Sequence, residues 1–153
     1  MIDIQVKFDK KGLLDLSKLP KEFKAGAIKG VRQAMFHAER MSKRDFEKSR
    51  GGAGGLNVRS GSLRRSITSG VNIKGNSVVG SLGSNLIYAR IHELSGTIRP
   101  RTGQYLRFQI EGQWKTVKSV FIPARPFLRP AIDENISEIK NLIRDSIIKE
   151  MNK

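Results

Sequence analysis

The 153-residue sequence contains no cysteine, so neither disulfide bonds nor thiolate metal sites can form. A reducing compartment is therefore the simplest setting for the protein. It also lacks any apolar run close to the roughly 20 residues that a membrane-spanning helix requires. Residues 1–5 contain neither the basic nor the apolar region of a signal peptide. We therefore expect a soluble protein that is made in a cytoplasm and has no membrane partner.

Side chains that commonly carry catalysis or bind metals are also scarce. The two histidines, His37 and His92, lie in predicted helices, where a surface position or a packing contact explains them better than catalysis. Glu93 is adjacent to His92, but neighbouring residues on a helix do not face one another. The glycines of residues 51–55 follow a helix and lack the lysine and hydroxyl residue of a phosphate-binding loop. We therefore expect no enzymatic activity, no metal site and no cofactor.

Acidic residues are nearly absent from the middle of the chain. Residues 48–132 contain 14 basic residues and only two acids, Glu93 and Glu111, out of an overall net charge of +15. Such an excess indicates a polyanionic partner or acidic neighbours in an assembly. A solvated surface position explains any single arginine equally well, but it explains the whole stretch less well.

Two amphipathic helices frame the predicted fold. The first begins near Pro20, where the missing N–H costs nothing, and continues to about Lys48. The second begins near Pro130 and carries a stripe of isoleucines along one face. Alternating apolar residues predict a half-buried strand over residues 2–8. Glycine-rich residues 49–57 predict a flexible loop after the first helix.

Between these helices the sequence predicts antiparallel sheet. One hairpin spans residues 67–82 and turns at residues 75–76, and a second spans residues 105–122 and turns at residues 111–113. A short helix is predicted between them, over residues 86–94. The aromatic residues of the second hairpin could stack on nucleic acid bases, but we assign them to the core: Tyr105, Phe108 and Trp114. The prediction is one α+β domain over residues 1–153, with a small antiparallel β-sheet flanked by the two amphipathic helices.

Three prolines mark residues 123–131 as a stiff, extended connector between the last strand and the last helix. Phe127 and Leu128 are apolar, and we expect them to anchor the connector in the core. Arg125 and Arg129 are charged, and we expect them to point outward, towards the carboxylates of a neighbouring subunit or towards DNA.

Three segments resemble the tail-completion or head–tail joining proteins of tailed bacteriophages and prophages, also called minor tail or neck proteins. They are residues 58–67, 88–97 and 122–131, and they occur in this order between the two helices. Ser95 departs from the pattern, since glycine is usual there, and the glycine run departs from a shorter link with proline. Mu-like virion-morphogenesis proteins share parts of the pattern and are a near alternative.

The resemblance implies a non-catalytic protein that forms a ring, a hexamer or a dodecamer, at the neck or tail end of a virion after assembly in the host cytoplasm. The implied partners are other copies of the chain, connector or adaptor proteins, tail terminator or tail tube proteins, and the phage DNA that passes through the channel. A channel that passes DNA favours basic side chains, because they bind phosphates without recognising sequence. The candidates that face the DNA are Arg59, Arg64, Arg65, Arg99 and Arg101.

Arg125 and Arg129 are the candidates for the interface between subunits. The alternative, based on charge alone, is a free nucleic-acid-binding protein without sequence preference. The sequence contains no helix-turn-helix, zinc-finger or RNA-binding signature that would favour it.

Overall fold

The computed structural model describes residues 2–6, 19–48, 56, 60–75 and 77–153. Apart from Leu56, the predicted loop over residues 49–57 lies outside the described residues, and so does Arg59. The helices are α1 Lys21–Lys48, α2 Ser62–Ser66, α3 Ala89–Leu94, α4 Arg129–Asp133 and α5 Ile136–Met151. The strands are β1 Ile2–Val6, β2 Ile67–Lys74, β3 Ser77–Ser84, β4 Gly96–Ile98, β5 Leu106–Ile110, β6 Gln113–Val117 and β7 Val120–Ile122. The predicted α+β class is confirmed.

Helix α1 packs against strands β2 and β3 and against helices α4 and α5. Its buried residues recur every three or four positions, which produces one long apolar face: Ala27, Val31, Ala34, Met35, Ala38, Met41 and Phe46. The 28 residues of α1 span roughly 42 Å at 1.5 Å per residue. This length lets α1 contact both the sheet and the C-terminal helices α4 and α5.

Two glycines bring α1 into direct contact with the backbone of α5. A Cβ atom added at Gly26 would lie 2.7 Å from the Cα of Ile147, and one added at Gly30 would lie 2.7 Å from the Cα of Ile143. Ordinary contacts between carbon atoms are about 3.5–4.0 Å, so no larger residue fits without moving α5. The sequence analysis did not identify this pair, although a four-residue spacing places both glycines on one helix face.

A three-stranded antiparallel sheet, with strand order β1–β3–β2, covers another side of α1. Ile67 pairs with Ser84 and Lys74 with Ser77, which confirms the first predicted hairpin. The N-terminal strand is also confirmed over residues 2–6, since Ile2 pairs with Ser84 and extends the sheet beside β3, while residues 7 and 8 lie outside the described residues.

The second hairpin differs from the prediction. Strand β5 pairs with β6 around a two-residue turn, Glu111 and Gly112, whose φ angles of 51° and 80° are those of a type I′ turn. Strand β7 pairs instead with β4, so its predicted pairing with residues 105–110 is wrong. All five residues of β5 form pairs with the five residues of β6. After Val117 the chain has therefore passed the end of β5, and its next strand, β7, pairs with β4.

The prediction that the aromatic residues of this hairpin belong to the core is also wrong. Tyr105 is 52% exposed and Trp114 is 60% exposed, while Phe108 is half-buried. The reason is that β5 and β6 pack on each other, and no other described element makes more than an isolated contact with them. We call residues 99–118, which contain this hairpin and the segment leading into it, the arm.

The C-terminal region becomes helical near Pro130, as predicted, but it contains two helices rather than one. Helix α4 has Pro130 in its first turn, where the missing N–H costs nothing, and the chain turns before α5. The connector is therefore residues 123–128, in which Leu128 already has helical backbone angles, and the prediction that residues 129–131 are non-helical is wrong. Ile132 and Ile139 are buried, whereas Met151, at the end of the predicted stripe, is exposed.

Candidate functional site

The structure places the predicted basic residues on three parts of the molecule. Two belong to α2, two to the first part of the arm, and two to the connector and the start of α4: Arg64 and Arg65, Arg99 and Arg101, and Arg125 and Arg129. Arg64 and Arg125 are half-buried, and the other four are exposed. The predicted DNA-facing residues that the structure describes therefore lie on two separate parts of the molecule, α2 and the arm.

The structure brings two of these arginines together. Arg64, predicted to face DNA, and Arg125, predicted to contact a subunit, line the same groove of about 580 Å³. The other lining residues are mainly small polar or apolar: Phe46, Leu56, Ser60, Gly61, Ser62, Leu63, Tyr88, His92 and Ile122. We call this the Arg64–Arg125 groove. Two guanidinium groups and two serine hydroxyls along one groove form a surface suited to phosphate or carboxylate oxygens.

His92 lines the Arg64–Arg125 groove. The sequence indicated only a surface or packing role for it, but its pKa and its hydrogen bonding are both perturbed. Burial, followed by the nearby Arg125 guanidinium, lowers the pKa of His92 below its usual value of 6.5. Its Nδ1 atom has no hydrogen-bond partner among the described residues. The ring of Tyr88 lies edge-on to the imidazole, with 6.2 Å between ring centroids. A neutral imidazole next to Arg125 leaves the arginine as the charged group on this side of the groove.

A second groove, of about 680 Å³, lies along α1 and shares Arg64 with the first. We call it the α1 groove, and its lining residues are Phe36, Glu39, Arg40, Met41, Lys43, Arg44 and Arg64. The sequence analysis did not propose Arg40, Lys43 and Arg44. Their three- and four-residue spacing on one helix was the available signal, since it places them on one face.

Among the described residues that line the α1 groove, Glu39 is the only acid, and its charge is already matched. Its Oε1 accepts a hydrogen bond of 2.6 Å from Lys43 Nζ, and its Oε2 accepts bonds of 2.8 and 2.7 Å from Ser69 N and Oγ. Burial alone would raise the pKa of Glu39, but the bonds from Lys43 and Ser69 outweigh it and lower the pKa. Besides this pair, the charged residues described along the groove are Arg40, Arg44 and Arg64.

Glu93 holds the connector in place. Its side chain is 5% exposed, and Oε2 accepts hydrogen bonds from the backbone N–H groups of Phe127 at 2.8 Å and Leu128 at 3.0 Å. Oε1 accepts a third, from the N–H of Arg129 at 3.0 Å. The sequence analysis found no partner for Glu93, because the donors are backbone groups more than 30 residues away. The one available signal was an acid on a short helix within an otherwise basic stretch.

The connector is fixed at two more points. The Arg125 N–H donates to the His92 carbonyl at 2.6 Å, and Ser42 Oγ donates to the Phe127 carbonyl at 2.7 Å. Phe127 and Leu128 are buried, at 3% and 0% exposure, and the Phe127 ring meets that of Phe46 with centroids 5.2 Å apart. The two arginines on either side of this buried pair are thus attached to a backbone that α1 and α3 hold.

Helix α3 ends at Ser95, whose φ of 67° and ψ of 169° lie in a region that favours glycine. This is the position where the resembling proteins usually have glycine. The turn forms here with serine at a conformational cost, and β4 begins at the next residue, Gly96.

In the arm, each face of the hairpin carries both polar and apolar side chains, since Lys115 lies opposite Phe108 and Trp114 lies opposite Gln109. Arg107 and Trp114 share one face, with the guanidinium carbon 4.6 Å from the centre of the indole ring. Leu106, Phe108 and Ile110 occupy the other. Both faces are at least partly open to solvent, so the arm exposes an apolar surface that the rest of the described chain does not cover.

Among the described residues, no group of three or more His, Asp or Glu side chains is arranged to hold a metal ion. None of the described helices is both long and apolar enough to cross a membrane. The two grooves that meet at Arg64, and the arm, are candidate binding surfaces of the described part of the chain.

A comparison with models of protein families matches residues 33–148 to the phage virion morphogenesis family. The match begins within α1, includes α2 to α4 and β2 to β7, and ends within α5. Searches of curated proteins and of solved structures returned no match. The match covers well over half of the chain, and the protein therefore belongs to the phage virion morphogenesis family.

Proposed function

We propose that this protein is a non-enzymatic structural subunit of a tailed phage or prophage virion, where it forms a ring at the head–tail junction or at the tail end. The observation that carries the proposal is the family match over residues 33–148. The three segments that resemble tail-completion and head–tail joining proteins all lie within the matched region. Its partners in this role are further copies of itself, connector or adaptor proteins, and tail terminator or tail tube proteins.

The basic grooves support a position around DNA. Arg64 lines both grooves, and the α1 groove adds Arg40 and Arg44, while the one acid described there, Glu39, is paired with Lys43. A ring that encloses the passing genome tolerates or favours such a surface, because basic side chains bind phosphates of any sequence and release counterions. On this proposal Arg64 faces the channel, and the face of α1 that carries Arg40 is part of the channel wall.

The ring is tested by native mass spectrometry and negative-stain electron microscopy of the purified chain, together with immunogold labelling of purified phage particles. We expect closed rings, either from the chain alone or after a neck or tail protein is added, and label at one end of the tail. A chain that stays monomeric at its highest soluble concentration, and is absent from particles, would overturn the proposal.

The channel surface is tested by DNA binding. Replacing Arg40 and Arg64 with glutamine should weaken binding to two unrelated duplexes equally and lower the slope of log K against log salt by about 0.9 for each phosphate that is no longer neutralised. The matched control replaces Lys140 and Lys149, exposed on α5, with glutamine and should leave the slope unchanged. Strongly different affinities for the two duplexes would instead favour a free DNA-binding protein.

A further inference from the structure

The arm requires a partner to be stable as it stands. A two-stranded antiparallel ribbon is marginally stable in water unless a further strand, a helix or another surface covers it. Here β5 and β6 pack on each other, and Tyr105, Ile110 and Trp114 are all exposed. Exposed apolar patches of this kind mark interaction sites in soluble proteins.

The side chains of the arm are those of a protein–protein contact. Trp114, Tyr105 and Arg107 belong to the residue types that dominate interface hot spots. The Arg107 guanidinium stacks on the Trp114 ring at 4.6 Å, so both side chains are partly ordered before they meet a partner. A phosphate backbone would satisfy the charge of Arg107 but would give the exposed ring of Trp114, on the same face, no apolar contact, and this favours a protein partner over DNA.

The charge of the arm indicates what kind of surface meets it. The arm contains five basic residues and one acid, Glu111, and its cations are Arg99, Arg101, Arg107, Lys115 and Lys118. All five are exposed, and none forms an ion pair with another described residue. A complementary surface must therefore present unpaired carboxylates.

The chain has such a surface at the junction of α4 and α5. Asp133, Glu134 and Glu138 lie within six residues, all exposed, and residues 130–139 contain no basic side chain. None of the three carboxylates forms an ion pair with another described residue. Pro130 and Ile136, both half-buried, lie beside them and provide apolar contact. We call these residues, 130–138, the acidic corner.

We propose that the arm of one copy docks on the acidic corner of the next copy, so that residues 99–118 and 130–138 form the contact between neighbours. No substantial packing joins the hairpin of the arm to α4 or α5 within one chain, so both surfaces are open to a neighbour. One patch meets a different patch, which is the head-to-tail arrangement that closes into rings. This inference rests on the proposed ring and assigns its subunit contact.

The test reverses charge on each side separately. Changing Lys115 and Lys118 to glutamate should weaken subunit association by roughly 10- to 100-fold, because like charges would then face each other. Changing Glu134 and Glu138 to lysine should do the same. Sedimentation velocity and native mass spectrometry report the association, and circular dichroism shows that each variant is folded.

Combining the two reversals distinguishes this contact from a general effect of charge. An equal mixture of the two variants, or one chain that carries all four substitutions, should recover association, because every interface again pairs opposite charges. The matched control changes Lys21 and Arg32 of α1, both exposed, to glutamate. It lowers the net charge by the same amount as the arm variant and should associate like the wild type.

Because the chain has no cysteine, single cysteines give a second, direct measurement. Mixing Gln113→Cys with Ser137→Cys under oxidising conditions should give the disulfide-linked dimer of the two different variants in preference to either homodimer. A preference for homodimers of the Gln113→Cys variant would show that arms meet each other and would overturn the proposal.

The outcomes separate the arm contact from the ring itself. If rings form and the arm variant assembles normally, the ring remains and the arm contact is refuted. If that variant assembles normally but loses DNA binding, the arm belongs to a DNA surface. If no copy associates with another under any condition, both the contact and the ring are wrong.

Discussion

Replacing Glu93 with glutamine tests whether one buried side chain holds the connector. The carboxylate accepts three backbone N–H groups, two on Oε2 and one on Oε1. The glutamine amide keeps a single acceptor oxygen. If that oxygen takes the place of Oε2, the bonds from Phe127 and Leu128 survive as neutral bonds, and an NH₂ group faces the N–H of Arg129.

The expected loss of stability follows from these three bonds. Two bonds change from charge-assisted to neutral, which costs about 1 kcal/mol each, and the third donor loses its acceptor, which costs about 1–3 kcal/mol. The sum, about 3–5 kcal/mol, is an upper bound, because a neutral amide costs less to bury than a carboxylate. At about 2–4 °C per kcal/mol for a domain of this size, the melting temperature should fall by roughly 6–20 °C.

Thermal and urea unfolding, followed by circular dichroism, measure the loss. The matched control is Glu111→Gln, which makes the same chemical change at the exposed turn of the arm and should change stability by less than about 0.5 kcal/mol. If the two variants melt within about 2 °C of each other, Glu93 does not hold the connector, and the hydrogen bonds described for it contribute little.

Three further changes are expected. Phe127→Ala should cost about 3–5 kcal/mol in urea unfolding, whereas changing Arg125 and Arg129 together to alanine should leave the melting temperature nearly unchanged and impair ring assembly. Burial lowers the pKa of His92 in the folded state, so near and below the usual pKa of 6.5 the unfolded state binds more protons than the folded state. The free energy of unfolding should therefore fall as the pH falls below about 6.5. A His92→Gln variant should lose part of this pH dependence in melts between about pH 7.5 and 5.5. Ser95→Gly should raise stability by about 1–2 kcal/mol, because glycine accepts a φ of 67° without strain; an unchanged or lower melting temperature would contradict that explanation.

The elements with a strong local period could be predicted from the sequence. Helix α1 ends at Lys48 as expected, because apolar residues recur along its whole length. The first hairpin was also predictable, since alternating residues such as Ile67 enclose a glycine turn and one face must meet the core. In both elements the local pattern and the packing require the same structure.

The surroundings of the arm could not be predicted in this way. Its alternating apolar residues indicate a hairpin but do not show whether the rest of the chain covers it. Tyr105 and Trp114 are large aromatic residues of the kind that is common in cores, yet they are exposed within the single chain. A partner surface and a core select the same residue types, so composition alone cannot distinguish them. The pairing of β7 with β4 was missed because it depends on where β5 begins: Leu106 pairs with Val117, and no residue of β5 is left to pair with residues 120–122.

The types of the site residues could be predicted from the sequence, but not which of them lie close together in space. Arg64 and Arg125 are 61 positions apart, and only folding shows that they line one groove. The same holds for Glu93, whose partners are backbone groups and therefore leave no side-chain pattern in the sequence.

Helix α3 connects these observations physically. Its His92 carbonyl accepts the N–H of Arg125, and its Glu93 carboxylate accepts the N–H of Arg129, so one short helix fixes the backbone on both sides of the buried pair of apolar residues. A guanidinium on a fixed backbone loses less freedom on binding than one on a mobile loop, and this raises affinity without an additional contact. Loosening α3 should therefore weaken any contact that Arg125 and Arg129 make, even where both arginines are still present. If Glu93→Gln destabilises the fold but leaves assembly at low temperature unchanged, these arginines do not depend on α3 for their role.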